Sequence, residues 1–232
     1  MNESILVISP TGLALAFIPA ALVILICYRW GSAAGTALYA TVRMLVQLLL
    51  IGYVLIYIFE SDQWWHIVAV LVLMLAASSW IALHPLGPRT AQSYLYALIA
   101  ISLGGVPTLA LVTQAVIDVS PWFSPRYVVP LAGMIFSTSM TAVSLAGERF
   151  QAERSNGADY IAARRTAFQA ALIPTVNSLF AVGLVALPGM MTGQILSGVS
   201  PLIAAQYQIV VMTMLLGATG LTAAIYLTLM KP

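Results

Sequence analysis

Seven long apolar stretches dominate the sequence and leave only short polar segments between them. A helix that crosses the hydrocarbon core of a bilayer needs about 20 predominantly apolar residues. Of the 232 residues, 61% are hydrophobic and only 7% are charged, whereas roughly a quarter are charged in an ordinary soluble domain. The sequence therefore predicts an all-α, polytopic membrane protein in which residues 1–232 form a single transmembrane domain. We place the seven spans at residues 12–28, 36–59, 64–83, 94–116, 127–146, 171–196 and 201–230.

The distribution of charge predicts the orientation of these spans. Basic residues favour the cytoplasmic side of a membrane. With the N-terminus outside, eight of the nine basic residues fall on the inner side, and only Arg126 falls outside. The sequence thus predicts an N-out, C-in topology. The acidic residues that fall outside are Glu3, Glu60, Asp62 and Asp118.

The span at residues 171–196 is interrupted by prolines, glycines and amides. Irregular backbone at membrane depth is tolerated only against protein or a water-filled cavity. Prolines remove helix hydrogen bonds and glycines let another backbone approach, so we predict that this helix is kinked or broken. Two interpretations stay open: the wall of a substrate pathway, as in transporters with discontinuous helices, or a kinked helix packed through its small residues. The predicted breaks are Pro174, Gly183, Pro188 and Gly189.

Polar and sulfur-containing side chains within the spans are candidates for contact with a substrate. A buried amide needs a partner, which can be another helix or a solute. Thioethers suit soft metal ions, but they also fill gaps between helices, so no firm metal site is predicted. The spans hold no carboxylate at mid-depth, which disfavours a proton relay. The candidate pathway residues are Gln47, Asn177, Ser178, Met190, Met191 and Gln194.

One inner loop, residues 148–169, is long enough to leave the membrane surface. From Asp159 onward it reads as an amphipathic helix whose first acidic residue suits the helix dipole. It can dock into a partner protein or lie on anionic lipid, and the sequence leaves both possibilities open. We treat it as a candidate coupling segment within the membrane domain. Its candidate coupling residues are Arg154, Asp159, Tyr160, Arg164 and Arg165.

Several chemistries are disfavoured by what the sequence lacks. Lys231 is the only lysine, so a phosphate-binding GxxxxGK[ST] loop cannot be formed. HExxH and GxSxG motifs and paired cysteines are also missing, and no basic, aromatic-interleaved patch indicates nucleic-acid binding. We expect a protein that is not an enzyme by itself and binds no cofactor.

Three segments resemble the FetB-type permeases, membrane subunits of ABC transporters linked to iron export in bacteria, with plant relatives linked to aluminium tolerance. They are VRMLVQLLLIGYVLIYIF (42–59), VVPLAGMIFSTSMTAV (128–143) and AALIPTVNSLFAVGLVALPGMMTGQILSGVSPLIAAQYQIVVMTMLL (170–216). The resemblance implies a permease in the bacterial cytoplasmic membrane. It also implies a separate ATPase subunit that binds the ATP.

These observations lead to one principal hypothesis and two alternatives. The principal hypothesis is the permease subunit of an ABC exporter, working as a homodimer with cytoplasmic ATPase subunits and moving a metal ion or a metal-related solute. The alternatives are a stand-alone secondary transporter and a non-transporting membrane scaffold. Co-purification of an ATPase and measurement of solute flux separate the three.

Overall fold

The structure is a computed structural model, and it describes residues 8–59 and 63–231. The chain divides into two compact units, residues 1–60 and 61–232, which are described separately. The all-α prediction is confirmed by the succession of helices. These are α1 (Pro10–Leu15), α2 (Ile18–Arg29), α3 (Ala34–Phe59), α4 (Trp64–Ala82), α5 (Ala91–Ala110), α6 (Pro125–Ser155), α7 (Tyr160–Ala181), α8 (Gly189–Leu196) and α9 (Pro201–Leu229).

The first unit contains α1, α2 and α3, with α2 packed against α3. Ser9 caps α1 by accepting a hydrogen bond from the amide of Gly12 at 3.1 Å. Pro19 lies in the first turn of α2, where a missing N–H costs no helix hydrogen bond. On α3, Gln47 is exposed.

In the second unit, α4 and α6 run in the same direction. A Cβ atom on Gly133 would lie 3.4 Å from the Cε of Met74, and farther along both helices the Ser144 hydroxyl donates to the carbonyl of Ala82 at 2.8 Å. A short 3-10 turn, His84–Leu86, follows α4. It lies against Gly147 of α6, so the C-terminal ends of α4 and α6 meet at one end of this unit.

Helix α9 runs parallel to α6 and antiparallel to α7. The hydroxyl of Thr222 donates to that of Ser139 on α6 at 3.2 Å. The Tyr160 hydroxyl, at the start of α7, donates to the carbonyl of Leu227 at 3.0 Å. Thr175, farther along α7, donates to Thr219, about two turns before Leu227 in α9, at 3.3 Å. The start of α7 and the end of α9 therefore lie together, at the same end of the unit as the end of α6.

Among the residues that it describes, the structure contains six helical stretches that are long and apolar enough to cross a membrane. They are α1 together with α2, then α3, α4, α5, α6 and α9, and they correspond to six of the seven predicted spans. The remaining one, residues 171–196, is divided between α7 and α8 by residues 182–188. The seventh crossing and the orientation stay predictions.

The break in this span lies at one place rather than two. A bend or a break was predicted at Pro174; α7 continues through that residue to Ala181, so the helix is not broken there. Proline inside a membrane helix is tolerated where neighbouring helices and local adjustments compensate for the lost hydrogen bond, and α7 packs against both α6 and α9. The predicted interruption before Pro188 is present.

The predicted long loop at residues 148–169 is instead formed by the ends of two helices. Helix α6 extends to Ser155, and α7 begins at Tyr160. Asp159 caps α7, as expected, and accepts from the amide of Ala162 at 2.7 Å. The coupling segment and the start of the predicted sixth span belong to one continuous helix, α7. Ala163, Ala167 and Ala171 form one buried face along this helix.

Candidate functional site

A cavity of about 490 Å³ lies where α7 ends, within the second unit. It is lined by α6, α7, α9, the start of α8 and the irregular segment between α7 and α8. A volume of a few hundred cubic ångströms is typical of sites for small organic ligands. Its lining residues are Met134, Thr138, Thr141, Ala142, Ala171, Pro174, Thr175, Ser178, Ala181, Val182, Ala186, Pro188, Gly189, Met190, Gln208, Val211, Met212, Leu215 and Thr219.

The irregular segment that closes one side of the cavity is a tight turn held by its own backbone. The amides of Leu184, Val185 and Ala186 all donate to the carbonyl of Ala181, at 3.3, 2.8 and 3.1 Å. The amide of Gly183 donates to the carbonyl of Ala186 at 3.0 Å. Gly183 has φ of 82°, a conformation that glycine adopts without a Cβ clash. The Ala181 carbonyl thus accepts three hydrogen bonds and is a poor candidate for binding a cation, whereas that of Ala186 accepts one.

The described residues that line the cavity carry no charged side chain. Their hydroxyl protons are mostly used within the protein. Thr138 donates to the carbonyl of Met134 at 2.9 Å, Thr141 to that of Ser137 at 3.0 Å, and Ser178 to that of Pro174 at 2.9 Å. A hydroxyl has one donor and two acceptor positions. These three oxygens therefore offer a ligand acceptor positions only.

Gln208 of α9 is the most unusual residue in the cavity wall. Its side chain is only 5% exposed, and Oε1 has no hydrogen-bond partner in the described part of the chain. A buried amide oxygen without a partner costs about 1–3 kcal/mol. Gln208 was not among the residues expected from the sequence, although an amide within an apolar span is the signal that drew attention to Gln47 and Gln194.

The structure brings some of the predicted pathway residues together and separates others. Ser178 and Met190 line the cavity, as do three of the predicted breaks, Pro174, Pro188 and Gly189. Asn177 is exposed on α7 and lies outside the lining. Met191 and Gln194 are half-buried on α8, also outside it.

Two of these residues need a separate description. Gln194 resembles Gln208 in having a buried Oε1 without a partner among the described residues. Gln47 belongs to the first unit, where its side chain is exposed on α3. The pathway roles assigned to both from the sequence stay predictions.

The candidate coupling residues lie at the hairpin between α6 and α7. Arg154 donates to the carbonyl of Ala158 at 2.9 Å, which holds the turn. The Tyr160 side chain packs against the rest of its own unit. Its ring centroid lies 6.0 Å from that of Phe150, and its hydroxyl donates to the carbonyl of Leu227 on α9. Arg164 lies over the Tyr160 ring at 5.4 Å.

The outer surface of this hairpin is therefore formed by charged groups and one aliphatic side chain. Arg164, Arg165 and Asp159 are exposed, and Ile161 is 67% exposed. Tyr160, one of the candidate coupling residues, is occupied in packing. Ile161 is the apolar side chain that remains available for a partner.

Cation-binding clusters of the usual kind are not found in the described residues. Within residues 8–59 and 63–231, no group of three or more His, Cys, Asp or Glu side chains could hold a metal ion. Met134, Met190 and Met212 supply thioethers to the cavity wall. Thioethers bind soft metal ions well.

The fold and the cavity define an integral membrane protein with apolar spanning helices and an uncharged cavity between them. Residues 9–232 match the family described as uncharacterised protein family UPF0014. The chain belongs to the UPF0014 family. This confirms the resemblance to FetB-type permeases noted in the sequence, because FetB is among the relatives.

The relatives cover most of the chain. It is 37% identical to the UPF0014 membrane protein slr1647 of Synechocystis, over 83% of this chain and 82% of the relative. It is 34% identical to the probable iron export permease protein FetB of Escherichia coli, over 97% and 92%. The protein ALUMINUM SENSITIVE 3 of Arabidopsis thaliana is 28% identical over 90% and 81%. No solved structure matches the chain.

Proposed function

We propose that this protein is the permease subunit of an ABC exporter and that it moves a metal ion or a metal-related solute. The observation that carries the proposal is that a single helix, α7, joins a charged hairpin at one end to the wall of a cavity at the other. The similarity to the probable iron export permease FetB supports the class of function. It also makes iron the first metal to test.

The direction of the helices supports a seventh crossing of the membrane. Helix α9 has 29 residues and is therefore about 43 Å long, which exceeds the thickness of a bilayer core. Its end lies beside the start of α7, so its own start lies near the opposite surface. The chain between these two points, residues 160–200, must then pass from one surface to the other. In our proposal, α7, the turn and α8 make that crossing together.

Charge supports a cytoplasmic location for the hairpin end. The end where α4, α6 and α9 finish carries a cluster of basic side chains, whereas Arg126 lies at the start of α6, at the opposite end. Because cytoplasmic segments are rich in Arg and Lys, we place the hairpin inside the cell and Arg126 outside. The basic residues in the helix ends and loops of the cytoplasmic side are Arg89, Arg149, Arg154, Arg164, Arg165 and Lys231.

The partners follow from this arrangement. A cytoplasmic ATPase subunit would dock on the exposed surface of the hairpin, through Arg164, Arg165 and Ile161, and its closure would push α7 along its axis. ATP is held by that partner, and the chain itself needs no cofactor. Two copies of the chain would form the membrane part of the transporter, in the bacterial cytoplasmic membrane.

The proposal is tested by changing Arg164 and Arg165 together to glutamate and purifying the protein with a candidate cytoplasmic ATPase subunit produced in the same cells. We expect normal membrane insertion and at least a tenfold loss of ATPase affinity, about 1.4 kcal/mol, because charge pairs at an interface become repulsive. Arg126→Glu, at the opposite end of the unit, is the matched control and should retain the partner.

A second measurement examines transport itself. Inside-out vesicles containing both subunits should accumulate labelled iron when ATP is added, and the double variant should not. Retention of the ATPase by the double variant would place the docking surface elsewhere. ATP-independent uptake by the chain alone would instead identify a secondary transporter.

A further inference from the structure

We infer that the cavity beside the helix break binds an uncharged organic solute carrying O–H or N–H donors on a largely apolar body, and that Gln208 is the residue that recognises it. The inference rests on the proposed transport function and chooses, of the two cargoes named there, the metal-related solute over the bare metal ion. Three properties of the cavity support it: its charge, its hydrogen-bonding groups and the unpartnered amide.

The lack of charge in the wall disfavours a bare polyvalent ion. Transfer of an ion from water into an apolar environment is costly unless opposite charge or many oxygen ligands compensate. The described lining residues include no carboxylate to neutralise a cation and no basic side chain to neutralise an anion. The nearby backbone carbonyls of Ala181 and Ala186 already accept hydrogen bonds.

Three of the five hydroxyl groups of the wall favour a ligand with donors; the other two, those of Thr175 and Thr219, bond to each other at 3.3 Å. Thr138, Thr141 and Ser178 use their protons on carbonyls of their own helices, so each offers only acceptor positions towards the cavity. A ligand group that only accepts hydrogen bonds would find no partner at these positions. A ligand with O–H or N–H groups would find several.

Gln208 supplies the specific contact. Its Oε1 is buried and has no partner among the described residues. Leaving a buried acceptor unpaired costs free energy, and a ligand that donates a hydrogen bond to Oε1 would remove that cost. An amide offers both a donor and an acceptor, so it pairs well with a hydroxyl or amide that can do both. The remaining lining is mostly aliphatic and thioether surface, which favours an apolar body on the ligand.

The test compares two probes built on the same aromatic ring. Catechol carries two O–H donors on an apolar ring, and veratrole is its dimethyl ether, which has no donor. Binding is measured by equilibrium dialysis with the purified full chain in detergent. We expect catechol to bind at least tenfold more tightly than veratrole, and ferrous iron alone and benzoate not to bind at this site.

The variant Gln208→Met removes the amide and keeps an unbranched side chain of similar length. It should abolish the preference for catechol, while Gln206→Met, an exposed glutamine two residues earlier in the same helix, should retain it. The unfolding temperature without probe should stay equal or rise in Gln208→Met, since an unpaired buried amide has been removed. A lower unfolding temperature would show that the amide has a structural partner and would overturn the inference.

Other outcomes also decide the matter. Equal binding of both probes by the wild type, or an unchanged preference in Gln208→Met, would mean that the cavity holds only detergent or lipid chains. Ferrous iron that binds the chain and is lost in Gln208→Met would also contradict the inference. If Gln208→Met does not fold, Gln208→Leu answers the same question.

Failure of the proposed function is recognised separately, because the binding assay uses the chain alone. A preference for catechol without any co-purifying ATPase would support the solute site and contradict the ABC assignment. ATP-driven flux without a preference for catechol would support the ABC assignment and contradict the solute site.

Discussion

At the scale of single residues, Gly104 determines how closely α5 and α9 approach. A Cβ atom at this position would lie 2.7 Å from the backbone nitrogen of Thr222 and 2.9 Å from its Cα. Both are main-chain atoms of a packed helix and cannot rotate away. The close approach also brings the Thr222 hydroxyl to Ser139 on α6. Small residues are the usual means by which membrane helices pack this tightly.

Gly104→Ala should therefore destabilise the protein although alanine is the better helix former. We expect a loss of about 1–3 kcal/mol, the usual cost of overpacking, seen as a lower unfolding temperature in detergent. Gly217→Ala on α9 is the control, because a Cβ atom added there would have no neighbour within 4 Å. That change should raise the stability by roughly 0.5–1 kcal/mol. Equal effects of the two changes would contradict the close contact.

At the scale of elements, the turn at residues 182–188 separates the two parts of a predicted span. It keeps several of its backbone groups paired because Ala181 accepts three amides, which lets irregular backbone exist where a continuous helix was expected. The turn places Val182, Ala186 and Pro188 on the cavity wall. Its geometry depends on the positive φ of Gly183.

Gly183→Ala should strain this turn by about 1–2 kcal/mol, since an L-residue is disfavoured in the left-handed region. Because the turn forms part of the cavity wall, transport in vesicles should fall more than the amount of inserted protein. Gly193→Ala on α8 has no positive φ and no neighbour within 4 Å of the added carbon, so it should leave both quantities close to the wild type. A Gly183→Ala protein with normal stability would contradict the turn.

At the scale of the whole molecule, the alternation of helix directions in the second unit agrees with the sequence-based topology. The ends of α4, α6 and α9 share one end with the hairpin before α7. The assignment of this end to the cytoplasm is made from the distribution of basic residues.

Single-cysteine labelling tests the orientation. In a Cys27→Ser background, a cysteine introduced at Asn156, in the turn between α6 and α7, should react with a membrane-impermeant maleimide only after the cells are opened. A cysteine introduced at Ser200, just before α9, should react in intact cells. External reaction at position 156 would reverse the orientation and remove the hairpin as a site for a cytoplasmic ATPase.

The sequence alone determined the class of the protein, most of its helix positions and its family. Runs of about 20 apolar residues can satisfy their backbone in lipid only as helices, so composition and length were sufficient. Local signals were also reliable: Asp159 caps α7 as its side chain and position predict, and the irregular backbone before Pro188 was expected from its composition.

The tertiary structure decided what these helices enclose. Pro174 does not interrupt α7, because packing against α6 and α9 sustains the helix. Tyr160 packs inward because the end of α9 supplies an acceptor for its hydroxyl. Asn177 and Ser178 are adjacent in sequence, but only Ser178 lines the cavity. The role of Gln208 depends on contacts between helices distant in sequence, and hydropathy and local spacing carry no information about such contacts.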